Sequence, residues 1–385
     1  MGLNFEFTAP TKIIFGCGAI AKIPQLIGGK GKRILLITGK SSTRAAPVID
    51  KLTSVECKIF QYTIEGEPTI ETVEKGVDIA REGECQLILG IGGGSVIDTA
   101  KAIAALAPNK GKLLDYLEVI GSGKELEADP LPFWAIPTTA GTGAEVTKNA
   151  VIHSPEHRVK VSLRSPLMFP EVAIVDPELT ITMPPEITAT TGMDALSHLL
   201  ETYVCNQPNP MTGALCREGL RRIATSLRQA YDNGNDIQAR TDMAMASMLG
   251  GMALANVKLG AVHGFAGPLG GMFPVPHGAA CAALLPAVME INIREVKREN
   301  LSISLARYDE LGQILTGNPA AKAEDGIRWI KEMVKYLKIP NLATYGYTST
   351  AFTILAGKAK NASSMKGNPV MLSDGALIEI LEKTT

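Results

Sequence analysis

The sequence lacks the cysteine, charge and leader patterns of several protein classes. Its six cysteines are scattered, and no two have the C-x-x-C spacing of a zinc knuckle or redox site. In a chain of 385 residues this indicates free, mostly buried thiols in a reducing, cytoplasmic compartment. The net charge of −1, without a basic stripe, excludes long-range attraction to nucleic acid or anionic lipid. The first ten residues have neither a basic nor an apolar region, so we expect no signal peptide.

A membrane-spanning pattern is also missing, as are a P-loop and a G-x-S-x-G nucleophile elbow. The longest stretch without Asp, Glu, Lys or Arg is Leu259–Met289. It contains six glycines, four prolines and two histidines, which a lipid-facing helix would not tolerate in that number. We therefore expect no membrane partner, and neither a membrane span nor a simple helix explains this segment.

Strand-like and helix-like segments alternate in the first part of the chain. Continuous apolar runs at 33–38, 86–91, 133–136 and 172–175 are typical of buried parallel strands, and helical patterns cover 72–82 and 95–106, with Ser95 placed as a cap. Later patterns are helical, at 187–205, 212–231, 237–259, 298–315 and 322–337. We predict an α/β domain over residues 1–180 with a mostly parallel sheet, and an all-α domain over residues 181–385.

Two loops at predicted strand ends are candidates for a phosphate cradle. Gly90–Ser95 joins a strand to a helix, where glycines let the backbone approach a pyrophosphate and the helix start supplies N–H groups. Pro137–Thr147 is rich in small residues and hydroxyls. Either loop alone could be a plain turn. Because ligands bind beyond the carboxyl ends of parallel strands, the two together favour dinucleotide binding.

The loop after the first apolar run bears on the choice of dinucleotide. In dinucleotide-binding folds an acidic residue at this strand end accepts hydrogen bonds from the adenosine ribose. Here the position is Gly39, and Lys40, Ser41 and Ser42 follow it. An acidic group would repel a 2′-phosphate, whereas this loop would accept one. The sequence therefore favours NADP over NAD.

A metal site is the sharpest candidate. Asp194 and His198 are four residues apart, which places both on one face of a helix. His263 and His277 lie in the long uncharged segment, where they need polar partners. One carboxylate and up to three imidazoles suit Fe(II) or Zn(II). The spacing alone leaves open a solvated helix pair and satisfied core histidines.

Three further polar residues are weaker candidates. His153 and His157 are also four apart, but Ser154-Pro155 between them breaks a helix and favours a surface turn. Lys160 follows this turn. It could reach a phosphate or lie free at the surface.

These motifs resemble the iron-containing (group III) alcohol dehydrogenases along nearly the whole chain. The matching segments are 10–16, 92–95 with Asp98, 137–147, 176–177, 192–195 with His198, 263–278 and 368–369. The resemblance implies a dehydroquinate synthase-like architecture, with a dinucleotide-binding α/β domain, a helical domain and the active site in the cleft between them. It also implies a homodimer or a higher homo-oligomer.

The resemblance implies a role for specific residues. One divalent metal, Fe(II) or alternatively Zn(II), would be bound by Asp194, His198, His263 and His277. In addition to Gly39, Ser41 and Ser42, the cofactor would be bound by Gly93, Gly94, Ser95, Asp98, Thr138, Thr139, Thr142, Asn149, Lys160 and Leu179. The implied reaction is reversible hydride transfer between NAD(P) and a small alcohol or its aldehyde or ketone, with the metal as Lewis acid.

The sequence departs from the family pattern at Gly267, where many members have a histidine close to the substrate. This departure affects proton relay and substrate choice. Two other kinds of function stay open. One is a related oxidoreductase of the glycerol dehydrogenase or maleylacetate reductase type, against which the complete Asp/His set argues. The other is a nucleotide-binding protein that has lost catalysis, which only Gly267 favours.

Overall fold

The computed structural model describes residues 4–28 and 33–384, and the side chain of Ser42 lies outside this description. Two compact units are present. The sheet unit comprises residues 9–28, 33–139 and 143–182, and the helical unit comprises 4–8, 140–142 and 183–384. The domain division predicted at residue 180 stays a prediction.

Strands and short helices build the sheet unit. The strands are β1 Lys12–Phe15, β2 Arg33–Thr38, β3 Lys58–Thr63, β4 Leu87–Gly92, β5 Phe133–Pro137, β6 Asn149–Ser154, β7 Val159–Arg164 and β8 Val172–Val175. The helices are α1 Ile23–Ile27, α2 Ser42–Thr53, α3 Ile70–Glu82, α4 Gly94–Leu106 and α5 Leu113–Tyr116. Strands β6 and β7 form a separate antiparallel hairpin.

The main sheet is parallel throughout, in the order β1-β8-β5-β4-β2-β3. Residues 34–37 of β2 are completely buried, which explains why this strand reads as a continuous apolar run. The chain passes from β2 to β3 on one side and then returns to β4 on the other side of β2. The carboxyl ends of β2 and β4 therefore flank a topological switch point, where open α/β sheets bind ligands.

The helical unit is built from nine longer helices among its described residues. These are α6 Pro185–Val204, α7 Pro210–Asp232, α8 Ile237–Leu254, α9 Ala261–Met272, α10 His277–Arg298, α11 Ser302–Thr316, α12 Ala323–Tyr336, α13 Phe352–Asn361 and α14 Asp374–Glu382. Every residue from 192 to 204 of α6 is buried. This helix is thus part of the core on all its faces.

The predicted fold class is confirmed, with local corrections. Ser95 does not cap α4: the helix begins at Gly94, and Gly93 takes the capping position in an extended conformation. The helix predicted from residue 298 begins at Ser302, because Asn300 has a positive φ of 54° that interrupts the helical path. The uncharged segment proves to be α9 and the first half of α10, whose interiors contain Pro268 and Pro286.

The structure bears on two predictions from composition, the state of the cysteines and the membrane-spanning pattern. All six cysteines are free, and four of them are buried. Within the described ranges, no helix combines the length and apolar character that crossing a bilayer requires.

A buried lysine ties α4 to the loop before the hairpin. The Lys101 ammonium is fully enclosed and donates hydrogen bonds of 2.8 Å to the carbonyls of Ala144 and Asn149 and to Thr147 Oγ1. Burial lowers the Lys101 pKa to about 8, while Asp98 and Glu145 act in the opposite direction. The three acceptors converge on one cation, so this contact fixes where β6 begins.

We predict that Lys101→Met destabilises the sheet unit by about 3 kcal/mol, because two buried carbonyls and one hydroxyl lose the charged hydrogen bonds that the ammonium donates. The measurement is urea unfolding followed by Trp134 fluorescence in a Trp329→Phe background, which leaves one tryptophan, in β5. Lys75→Met, at an exposed position on α3, is the matched control. Equal unfolding midpoints for the two variants would contradict the assigned role.

Candidate metal and cofactor sites

Helix α6 presents two of the predicted metal ligands. Asp194 and His198 lie one turn apart, as their spacing predicts, and their side chains are 2% and 5% exposed. A carboxylate and an imidazole this deeply buried need partners of opposite or complementary charge. The solvated helix pair that the spacing left open is therefore excluded by burial.

Helices α9 and α10 supply the other two imidazoles from their first turns. His263 is the third residue of α9, and His277 is the first of α10. Glycine lets α10 approach α6, because a Cβ on Gly278 would lie 2.6 Å from the carbonyl oxygen of Thr190. The first turns of α9 and α10 thus bring His263 and His277 to Asp194, which lies much earlier in the sequence on α6.

The four side chains converge on one carboxylate oxygen. Asp194 Oδ1 lies 3.9 Å from His198 Nε2, 3.5 Å from His263 Nε2 and 3.6 Å from His277 Nε2. One ligand atom from each residue lies within 4.8 Å of all the others. These separations are longer than good N–H···O hydrogen bonds, and they are typical of donors arranged around a common ion.

A fifth residue, which the sequence analysis missed, orients one of these imidazoles. Glu201 Oε2 accepts a hydrogen bond of 2.6 Å from His263 Nδ1, and Glu201 Oε1 accepts one of 2.6 Å from the Val262 amide. This leaves His263 Nε2 facing Asp194. The signal was present in the sequence, because Glu201 follows Asp194 by seven residues and so lies on the same helix face.

Charges within the cluster alter its proton affinities. Burial raises the Asp194 pKa, but the imidazoles outweigh burial and hold this pKa well below its ordinary value. Burial lowers the His198 pKa to about 3, so this ring is neutral, the form that binds metals. Burial also lowers the His277 pKa, but Cys281 and Asp194 outweigh it and raise the pKa to about 9. A cation binding here would replace the proton on His277.

The donor set fits a divalent transition metal. Asp194 Oδ1 is buried and has no hydrogen-bond partner among the described residues, although a carboxylate oxygen in that position requires one. Three imidazoles and one carboxylate match the ligand preference of Fe(II) and Zn(II). The hydrogen bond from His263 to Glu201 is the outer contact that usually accompanies a metal-bound imidazole.

The predicted cofactor loops meet at the carboxyl edge of the sheet. Thr38 pairs with Ile91, and Gly92 pairs with Pro137, so the ends of β2, β4 and β5 are neighbours. Gly39 and Ser41 follow β2, Gly93–Ser95 follow β4, and Thr138 and Thr139 follow β5. The start of α4 carries N–H groups without partners inside the helix, a ready site for a phosphate.

The other predicted cofactor residues occupy different places. Asp98 accepts a hydrogen bond of 3.0 Å from the Val151 amide of β6, the strand that Asn149 opens. Leu179 lies in a short 3-10 helix of the same unit, and Thr142 belongs to the helical unit.

The histidine turn and Lys160 differ in part from expectation. His157 is exposed in the hairpin turn, but His153 is half-buried within β6. The Lys160 side chain is only 5% exposed and forms a 3.1 Å salt bridge with Glu67. It is therefore not a free surface lysine.

Known families and structures match the whole chain. A family model described as iron-containing alcohol dehydrogenase matches residues 10–177, and its C-terminal counterpart matches residues 188–385. The chain is 34% identical to a choline dehydrogenase of Bacillus subtilis, covering 96% of this chain and 92% of the relative. It is 36% identical to a 1,3-propanediol dehydrogenase of Klebsiella pneumoniae, covering 95% of each.

A solved structure extends this likeness to three dimensions. An alcohol dehydrogenase from Oenococcus oeni superposes with a TM-score of 0.91 at 29% identity, covering 99% of this chain and 100% of that one. The parallel sheet and the helical region are thus shared, together with the family's sequence motifs. The chain belongs to the iron-containing alcohol dehydrogenase family and is an oxidoreductase of that type.

Proposed function

We propose that Asp194, His198, His263 and His277 together hold one divalent cation, Fe(II) ahead of Zn(II), in an NADP-linked dehydrogenase of small alcohols. The observation that carries this proposal is the convergence of three imidazoles, from three helices, on one buried Asp194 oxygen that has no hydrogen bond within the described chain. A packed core has no reason to leave such an oxygen unpaired. A shared cation supplies the missing partner.

The chain's own residues prepare the chemistry. A divalent cation at this point supplies Lewis acidity, which polarises the substrate oxygen. Glu201 holds the His263 ring in one tautomer, and burial keeps His198 neutral. Residues 192–204 of α6 are buried and keep Asp194 and His198 away from bulk water, whereas the His277 side chain is 32% exposed and leaves one side of the cluster open. A bound dinucleotide would supply the nicotinamide that accepts or donates the hydride.

Support for NADP comes from the end of β2. Gly39 has no acidic side chain to repel a 2′-phosphate, and the neighbouring loop offers Lys40 and hydroxyl groups. Lys40 Nζ lies 2.6 Å from Glu65 Oε1, but both side chains are more than 70% exposed. Such an exposed pair is weak and can be exchanged for a phosphate contact.

The substrate proposed is a small primary or secondary alcohol, in keeping with relatives named for choline and 1,3-propanediol. Gly267 follows His263 by one turn of α9, so a side chain there would share the face of a proposed metal ligand. The chain therefore offers no imidazole at this position. Proton exchange would then rely on the ribose hydroxyls of a bound dinucleotide and on water.

Two assignments complete the proposal. We propose a homodimer or larger homo-oligomer, on the family resemblance. We propose a cytoplasmic location, which the free cysteines support because a reducing compartment preserves them.

The double variant His263→Ala/His277→Ala is expected to lose its metal and its alcohol turnover with NADP, because two of four donors are gone. Elemental analysis of protein purified without oxygen measures the first, and NADPH absorbance after Fe(II) loading measures the second. His153→Ala/His157→Ala removes two histidines of the hairpin and serves as control. Full metal retention by the first variant would refute the ligand assignment.

We expect wild-type protein to bind NADP more tightly than NAD, and Gly39→Asp to weaken NADP binding about tenfold or more by charge repulsion. Gly39→Asn is the neutral control of equal size. It should be tolerated, because a Cβ at this position would lie 3.6 Å from Val96 Cγ2, an ordinary contact. Calorimetric titration with both dinucleotides gives the answer. Tighter NAD binding by the wild type would overturn the preference.

Glu201→Gln is expected to reduce metal affinity about 10- to 100-fold, because an amide is a weaker acceptor for the His263 N–H. Chelator competition measures the affinity. Glu186→Gln, exposed in the first turn of the same helix, is the control. A variant that loses thermal stability but keeps wild-type metal affinity would show that Glu201 only supports the fold.

A further inference from the structure

We propose that Cys281 is a fifth donor to the cation held by Asp194, His198, His263 and His277. The proposal rests on the proposed metal centre and assigns to it a sulfur ligand. Neither the sequence motifs nor the four-donor cluster includes this residue. Its side chain lies beside His263 and His277.

The Cys281 sulfur lies within hydrogen-bond distance of two imidazole nitrogens. Sγ is 3.6 Å from His263 Nε2 and 3.7 Å from His277 Nε2. The three imidazole nitrogens lie 3.5 to 3.9 Å from Asp194 Oδ1. The distances from the sulfur to its two neighbours are therefore similar to the distances from the three imidazole nitrogens to Asp194 Oδ1.

Backbone geometry holds the sulfur in this position. Cys281 follows His277 by four residues on α10, so the two side chains share one helix face. The residue has no exposed surface. Both nitrogens that it approaches are the ones turned towards Asp194, so the sulfur borders the space that the cation would fill.

A second observation points to a ligand in the same space. Asp194 Oδ1, on a side chain only 2% exposed, has no hydrogen bond among the described residues and faces the same nitrogens. The sulfur is not within 4.8 Å of every member of the four-donor group. It therefore lies beside His263 and His277, at the edge of the group rather than at its centre, and would add a fifth donor to a cation held there.

Coordination by sulfur has a defined chemical balance. The thiol gives up its proton to solvent as the sulfur–metal bond forms, and no electron is transferred. A thiolate is a soft donor, and it favours Zn(II) and Co(II) over Fe(II) more than a site of imidazoles and carboxylate does. Cys281 would therefore shift the metal preference of this chain towards zinc.

The test replaces the metal by Co(II) under anaerobic conditions and records the absorption spectrum. Visible bands report cobalt in the protein site, whereas an intense near-ultraviolet band reports sulfur-to-cobalt charge transfer. Cys281→Ser is the test variant. Cys216→Ser is the matched control, because Cys216 is equally buried but its sulfur contacts Thr202 Oγ1 at 3.2 Å.

The expected result is a near-ultraviolet band in wild type and Cys216→Ser that is lost in Cys281→Ser, while the visible bands remain. Zinc-over-iron selectivity should fall by about tenfold or more in Cys281→Ser. Visible bands without a near-ultraviolet band in wild type would overturn the sulfur ligand and leave the four-donor site intact. Absence of bound cobalt would overturn both.

A second measurement covers the case in which Cys281→Ser fails to fold. Cadmium-113 magnetic resonance of the wild-type protein separates the possibilities, because a thiolate ligand moves the resonance far downfield of a site with only nitrogen and oxygen donors. A downfield signal supports the proposal. A resonance in the nitrogen and oxygen range contradicts it.

Discussion

A buried carboxylate oxygen that has no hydrogen bond within the described residues is the constraint around which α6, α9 and α10 meet. Asp194 lies in a stretch of α6 that is buried on every side, so its charge cannot be hydrated. Imidazoles from three helices surround the Asp194 carboxylate, where a lysine or arginine would be the usual partner of a buried charge. An imidazole can be neutral while still offering a lone pair. The packing of α6, α9 and α10 therefore places one carboxylate and three imidazoles where a cation could satisfy them together.

Much of this site can be predicted from the sequence because it depends on helical periodicity. Asp194 and His198 are four residues apart, so the spacing alone predicts that they share one face of a helix. His263 and His277 became candidates because charge is absent around them. Glu201 and Cys281 were missed, although each is one turn or two from a predicted ligand. Their importance depends on which face of the helix meets the neighbouring helix, and a single sequence does not encode that contact.

In the sheet unit, too, some elements could be predicted from the sequence pattern and others could not. The central strands β2, β4 and β5 consist mainly of buried apolar residues, as is typical of parallel strands covered on both faces. Strands β1, β3, β6 and β7 escaped prediction because they are edge or hairpin strands, whose partly exposed side chains break the apolar run. Lys160 was undetermined for a related reason: its salt-bridge partner, Glu67, lies about ninety residues earlier in the chain, and a single sequence does not show that contact.

Glu201 combines two duties in one pair of oxygens. One oxygen orients the His263 ring, and the other satisfies the Val262 amide at the first turn of α9. Space for it exists only because residue 260 is glycine, since a Cβ there would lie 2.8 Å from Glu201 Oε1. A substitution at residue 201 therefore alters the electronic character of the His263 ring and the start of α9 at the same time.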